Sequence, residues 1–206
     1  MACVIDQKPF NIFYSTRILS LGQDSCSSWK IVEIKLMFDI IKLLFDICLF
    51  KKGPQDLPHS VWLLRILLVV YLSIRILMLS IHFDWLTVFF QVIVEIFLVA
   101  GFFLIMLYLA RKLGRFYQVI SAVLGTDALI SFFALPGMAA METGQGGLLV
   151  FLVMLGLIGW HWAVTGHIIH NALEQSLSFS LGLAFLYLLG SYQVMALLFP
   201  EVAGVK

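Results

Sequence analysis

The chain has 206 residues, 62% hydrophobic and 12% charged, with a mean hydropathy of +1.02 and a formal net charge of +1. That composition excludes an ordinary soluble globular domain and points to a polytopic membrane protein, with the lipid bilayer as its first partner. No basic patch interleaved with aromatics exists, so nucleic acid is excluded; Cys3, Cys26 and Cys48 show neither CxxC nor metal-ligand spacing.

Residues 1–36 differ from the rest. They contain SLGQDSCSS and no sustained periodicity, and Asp6 and Lys8 interrupt any apolar leader. The expectation is that Met37 is the natural start and that 1–36 is a non-native or disordered extension. Residues 37–58 then form an interfacial helix and turn, and 59–206 the membrane domain.

From Met37 the pattern is orderly. Asp39, Lys42 and Asp46 lie at spacings of three and four, one polar stripe on a helix whose other faces are apolar. Such a helix, Met37 to about Phe50, is expected to lie along a leaflet surface rather than cross it. Lys51 and Lys52 then meet anionic headgroups, each contributing about 1 kcal/mol. Gly53, Pro54 and Pro58 break the backbone, and Ser60 is placed to cap the next helix.

Five apolar runs follow, each long enough to cross about 30 Å of hydrocarbon. They are expected at Val61–Ile81, Leu86–Ala110, Phe116–Ala134 (stopped by Pro136-Gly137), Leu148–His167 or slightly beyond, and Phe179–Phe199. The fold class is therefore all-α integral membrane, five transmembrane helices preceded by an interfacial amphipathic helix. Arg65, one turn inside the first run, can snorkel back to the headgroups. Lys51, Lys52, Arg111, Lys112 and Arg115 fall at one end of the bundle, while the opposite links carry Asp84 and Glu142. The positive-inside bias makes the N-terminus cytoplasmic and, with an odd number of spans, the C-terminus periplasmic in a bacterial inner membrane.

Charges inside the apolar runs are expensive, about 2.5–3.5 kcal/mol each at the bilayer centre. Folding the first two runs at residues 83–84 brings Arg75 level with Gln91 and Glu95, which share a helix face four residues apart. This predicts an intramembrane Arg75–Glu95 pair; the other reading has Arg75 snorkelling and Glu95 protonated. Folding the third and fourth runs about residue 143 brings Asp127 level with His161. That pair reads either as a buried contact fixing helix packing, the favoured reading, or as a proton-handling site. Gly156, Gly159, Ala163 and Gly166 form a small-residue face that would let another helix approach closely.

His167, His170 and Glu174 share a helical face at metal-ligand spacing, a weak candidate set, since histidines at a helix C-terminus also satisfy its last carbonyls. There is no HExxH, no Gly-rich phosphate loop and no placeable Ser/His/Asp set, so neither an enzyme nor a cofactor is expected.

From Arg115 onward, GRFYQVISAVLGTDALISFFALPG and GWHWAVTGHIIHNALEQSLSFSLGLAFLYLL resemble the Yip (Ypt-interacting protein) membrane family. In that family a Trp-containing fourth span leads through a short polar link into a final span rich in small residues. The resemblance implies five spans, a cytosolic N-terminus and a role in membrane organisation. Eukaryotic members bind Rab-type GTPases. GPQDLP here does not match the family's acidic-aromatic Gly-Pro motif, and a long cytosolic N-terminal domain is missing, so the likeness is to the compact bacterial branch. The expected function is a non-enzymatic protein that scaffolds a membrane complex through other membrane proteins or self-association. The alternative is a small transporter or channel using Glu95, Asp127 and His161.

Overall fold

The computed structural model describes residues 25–80, 84–144 and 146–200, with side chains from Met37 onward except Glu142. Expectations for residues 1–24, for His82 and Phe83 in the first hairpin link, for the Glu142 side chain and for Lys206 lie outside the described residues.

Six α-helices account for the fold of the described residues: α1 Ser25–Cys48, α2 Val61–Leu79, α3 Trp85–Leu109, α4 Phe116–Glu142, α5 Leu148–Leu173 and α6 Leu177–Leu198. Short 3-10 turns at Pro54–Asp56 and Leu113–Arg115 precede α2 and α4. Five helices, α2 to α6, are long and apolar enough to cross a membrane. The protein is an all-α, multi-pass membrane protein.

The bundle is organised around α4, whose apolar window is 72% buried, against 28% or less for every other span. Its sequence explains why. Ser121, Ala122, Gly125, Thr126 and Ala128 are small and buried, so neighbours can approach closely on several sides. The Thr126 hydroxyl donates to the Ala122 carbonyl at 2.9 Å, so its burial leaves no orphaned donor. α2 and α5 are its main partners, and α6 packs on α5.

The sequence reading ended this helix before Pro136, and the structure corrects it: α4 continues through Pro136 to Glu142. A proline removes one intrahelical hydrogen bond, and membrane helices tolerate that when packing holds the remaining turns. Gly137 supplies packing rather than a stop, since a Cβ there would stand 2.7 Å from Met154 Sδ of α5. The last link is also shorter than expected. α5 runs through His170 to Leu173, and Glu174 ends it in the left-handed region at φ 59°.

In α1, Asp39 and Lys42 are exposed and Asp46 half-buried, whereas Leu44, Ile47 and Cys48 are buried. The last turns of this helix pack into the bundle. Leu44 sits over Gly125, Phe45 meets Phe133 edge to face at 6.2 Å, and the Cys48 carbonyl accepts from Trp160 Nε1 at 3.0 Å. The break after α1 is anchored on α4: Gln118 Nε2 donates to the Leu57 carbonyl at 2.7 Å, and the Gly53 N–H donates to Asp56 Oδ2 at 3.0 Å. Ser60 caps α2, its hydroxyl accepting from the Leu63 N–H at 3.4 Å.

Candidate functional site

Four helices converge on the intramembrane charges. Arg75 on α2 faces Glu95 on α3: Arg75 Nε donates to Glu95 Oε2 at 2.9 Å, and Nη2 contacts Oε1. The guanidinium also lies 5.8 Å from the centre of the Tyr71 ring, one turn earlier on the same helix. His161 Nε2 on α5 stands 3.6 Å from Asp127 Oδ1 on α4, close enough for charge attraction but too long for a hydrogen bond.

The two pairs are not separate features. Arg75, Gln91, Glu95, Asp127 and His161 line one cavity of about 280 Å³, closed on its remaining side by Tyr187, Ser191 and Tyr192 of α6. The four ionisable side chains keep 23% (Arg75), 16% (Glu95), 28% (His161) and 14% (Asp127) of their surface uncovered by protein. Gln91 is buried, and its Oε1, like the Tyr71 hydroxyl, has no hydrogen-bond partner among the described residues. An unsatisfied buried polar atom costs about 1–3 kcal/mol, so these are places where the fold tolerates polarity without using it for stability.

The cavity has a direction. Its α6 wall runs from Tyr187 to Ala196, about 13 Å at 1.5 Å per residue, and it includes Leu79, the last residue of α2. It therefore extends from mid-depth to the end of the bundle opposite Arg111, Lys112 and Arg115. Toward the basic end the cavity stops, and Val119, Ile120, Val123 and Leu124 of α4 are buried in packing.

At the basic end, His167, His170 and Glu174 are not brought together. His167 Nε2 is 3.0 Å from the Lys52 carbonyl, His170 Nδ1 pairs with the Gln175 carbonyl, and Glu174 pairs with Lys112 at 2.8 Å and Arg115 at 2.7 Å. Hydrogen bonds from Lys112 and then Arg115 hold the Glu174 carboxyl below the usual glutamate range. Among the described residues no three His, Cys, Asp or Glu side chains stand at metal-binding separation. Lys42, Lys51, Lys52, Arg65 and Arg111 are exposed, as interface cations must be, while Lys112 and Arg115 are half-buried by the Glu174 clamp.

The small face of α5 is only partly used. Gly166 admits Leu181 of α6, where a Cβ would stand 2.6 Å from Cδ2. Gly156 and Gly159 approach nothing, because the first half of α5 is mostly exposed. Sequence reasoning missed the α6 wall. Tyr187, Ser191 and Met195 recur every fourth residue, a stripe that was available but was masked by the uniform hydrophobicity around it.

Fold and site together define a five-span membrane protein with a largely apolar cavity into which Arg75, Glu95, Asp127 and His161 project. No protein-family model, curated protein or solved structure matches the chain.

Proposed function

We propose that the protein is a small membrane transporter that handles protons or a small cation through Asp127 and His161. One observation supports this over scaffolding: the intramembrane carboxylates and His161 line a cavity that runs from one end of the bundle to mid-depth. A scaffold has no need of such a cavity. Arg75 and Glu95 cancel, leaving Asp127 as the uncompensated charge when His161 is neutral. The reading is non-enzymatic. It puts the basic end in the cytoplasm of a bacterial inner membrane by charge bias, leaves the Yip-like stretches as a likeness of layout, and gives scaffolding partners no role in the chemistry.

The test uses reconstituted vesicles. Ser191→Cys should react with a membrane-impermeant thiosulfonate from one side only, and Val123→Cys from neither. Vesicles loaded with pyranine should dissipate an imposed pH gradient with the wild-type chain and not with Asp127→Asn. If Ser191→Cys were inert from both sides, the core would be dry and scaffolding would take precedence.

A further inference from the structure

A second concavity lies at the basic end, far from Asp127. Phe102, Ile105 and Leu109 of α3 face Phe179 and Leu183 of α6 across an apolar groove of about 390 Å³. Along α3 it runs from Phe102 to Ala110, about 12 Å at 1.5 Å per residue. Its mouth is formed by Ala110, Leu173 and Gln175.

Basic residues adjoin these lining residues. Arg111 adjoins Ala110; Lys112 Nζ donates to the Leu173 carbonyl at 3.1 Å; Arg115 shares Glu174 with Lys112. Three cations thus stand against one carboxylate. Arg111 is exposed and has no side-chain partner among the described residues.

α1, α3 and α5 are each followed by a left-handed residue that is not glycine: Phe50 at φ 60°, Arg111 at φ 56° and Glu174 at φ 59°. Glycine is the residue that relieves this conformation at a helix C-terminus.

We infer that this groove is a binding site for a single anionic phospholipid, with one acyl chain between α3 and α6 and the headgroup phosphate on Arg111 and Lys112. Groove and cations occupy the same depth order as chain and headgroup in a leaflet. Basic pockets between membrane helices select anionic headgroups by charge. Glu174 opposes the phosphate and holds two of the three cations, so it tunes affinity downward.

The site is tested by native mass spectrometry of the full chain in mild detergent, titrated with dioleoyl phosphatidylglycerol or dioleoyl phosphatidylcholine. Phosphatidylglycerol should fill one saturable site in preference. Arg111→Gly, which relaxes the backbone while deleting the charge, should weaken it about fivefold, the equivalent of one headgroup cation. Glu174→Gln should strengthen it. Glycerol phosphate at equal concentration should not compete, because it lacks the chain. Equal binding of the two lipids, indifference to both substitutions, or competition by glycerol phosphate would each overturn the assignment.

Discussion

Removing one partner of the Arg75–Glu95 pair should be far more damaging than removing both. The side chains are only 23% and 16% exposed and are joined by two contacts. Breaking a buried pair by deleting one charge costs about 3–5 kcal/mol; partial exposure brings the expectation for Glu95→Leu to about 2–4 kcal/mol. Arg75→Leu should cost less, about 1–2 kcal/mol, because a stranded carboxyl can take up a proton whereas a stranded guanidinium cannot release one. The double variant Arg75→Leu/Glu95→Leu strands nothing, and well-packed apolar replacements of buried pairs are neutral or stabilising. The coupling energy should therefore approach the sum of the two single costs, about 3–6 kcal/mol. Equilibrium unfolding in dodecylmaltoside titrated with SDS measures all four chains in one series. A coupling below about 0.5 kcal/mol would mean that the lipid or solvent accommodates each charge separately, and the reasoning from helix register to ion pair would be wrong.

Glycine substitutions should divide by contact: Gly166→Ala forces Cβ to within 2.6 Å of Leu181 Cδ2 and should cost about 1–3 kcal/mol in the same unfolding assay. Gly159→Ala meets nothing and should be neutral or stabilising by up to about 1 kcal/mol, a contrast that fails if both behave alike. The Glu174 clamp should be pH-dependent. Its carboxyl is depressed by Lys112 and Arg115, so its contribution is fully present above the ordinary glutamate range and is lost as pH falls through the lower folded value. The melting-temperature gap between wild type and Glu174→Gln should accordingly hold steady from neutral pH to about pH 5 and close in stronger acid. Finally, burial pushes the Cys48 thiol up to about 11, so in a Cys3→Ser/Cys26→Ser background it should resist maleimide at pH 8 until the protein is unfolded.

Much of the fold was legible because hydropathy in lipid carries so few alternatives. Three spans start at the expected residue, and the other two differ by one or two positions, Leu86 against Trp85 and Phe179 against Leu177. The charge register was legible too, because an ionisable side chain in an apolar run has few places to go. Counting from the hairpin links placed Arg75 opposite Glu95 and Asp127 opposite His161. What sequence could not convey was that the two pairs face one another. That depends on which helix stands at the centre, and α4 is central for its small residues rather than its hydrophobicity, which is lower than that of α3. Pro136 misled for a related reason: rules for where helices stop come from water, where a freed carbonyl and a lost hydrogen bond end the helix. In the bundle, Gly137 and Met154 hold the turn that Pro136 weakens.

The asymmetry of α4 joins packing to function. Toward the basic end its buried face is Val119, Ile120, Val123 and Leu124, with Gly125 receiving Leu44. Asp127, two residues on, lies about 200° around the helix from Gly125, so the cavity and the Leu44 contact are on opposite sides of α4. The residues that hold Leu44 on Gly125 are few: the Trp160 bond to the Cys48 carbonyl and the Phe45–Phe133 contact.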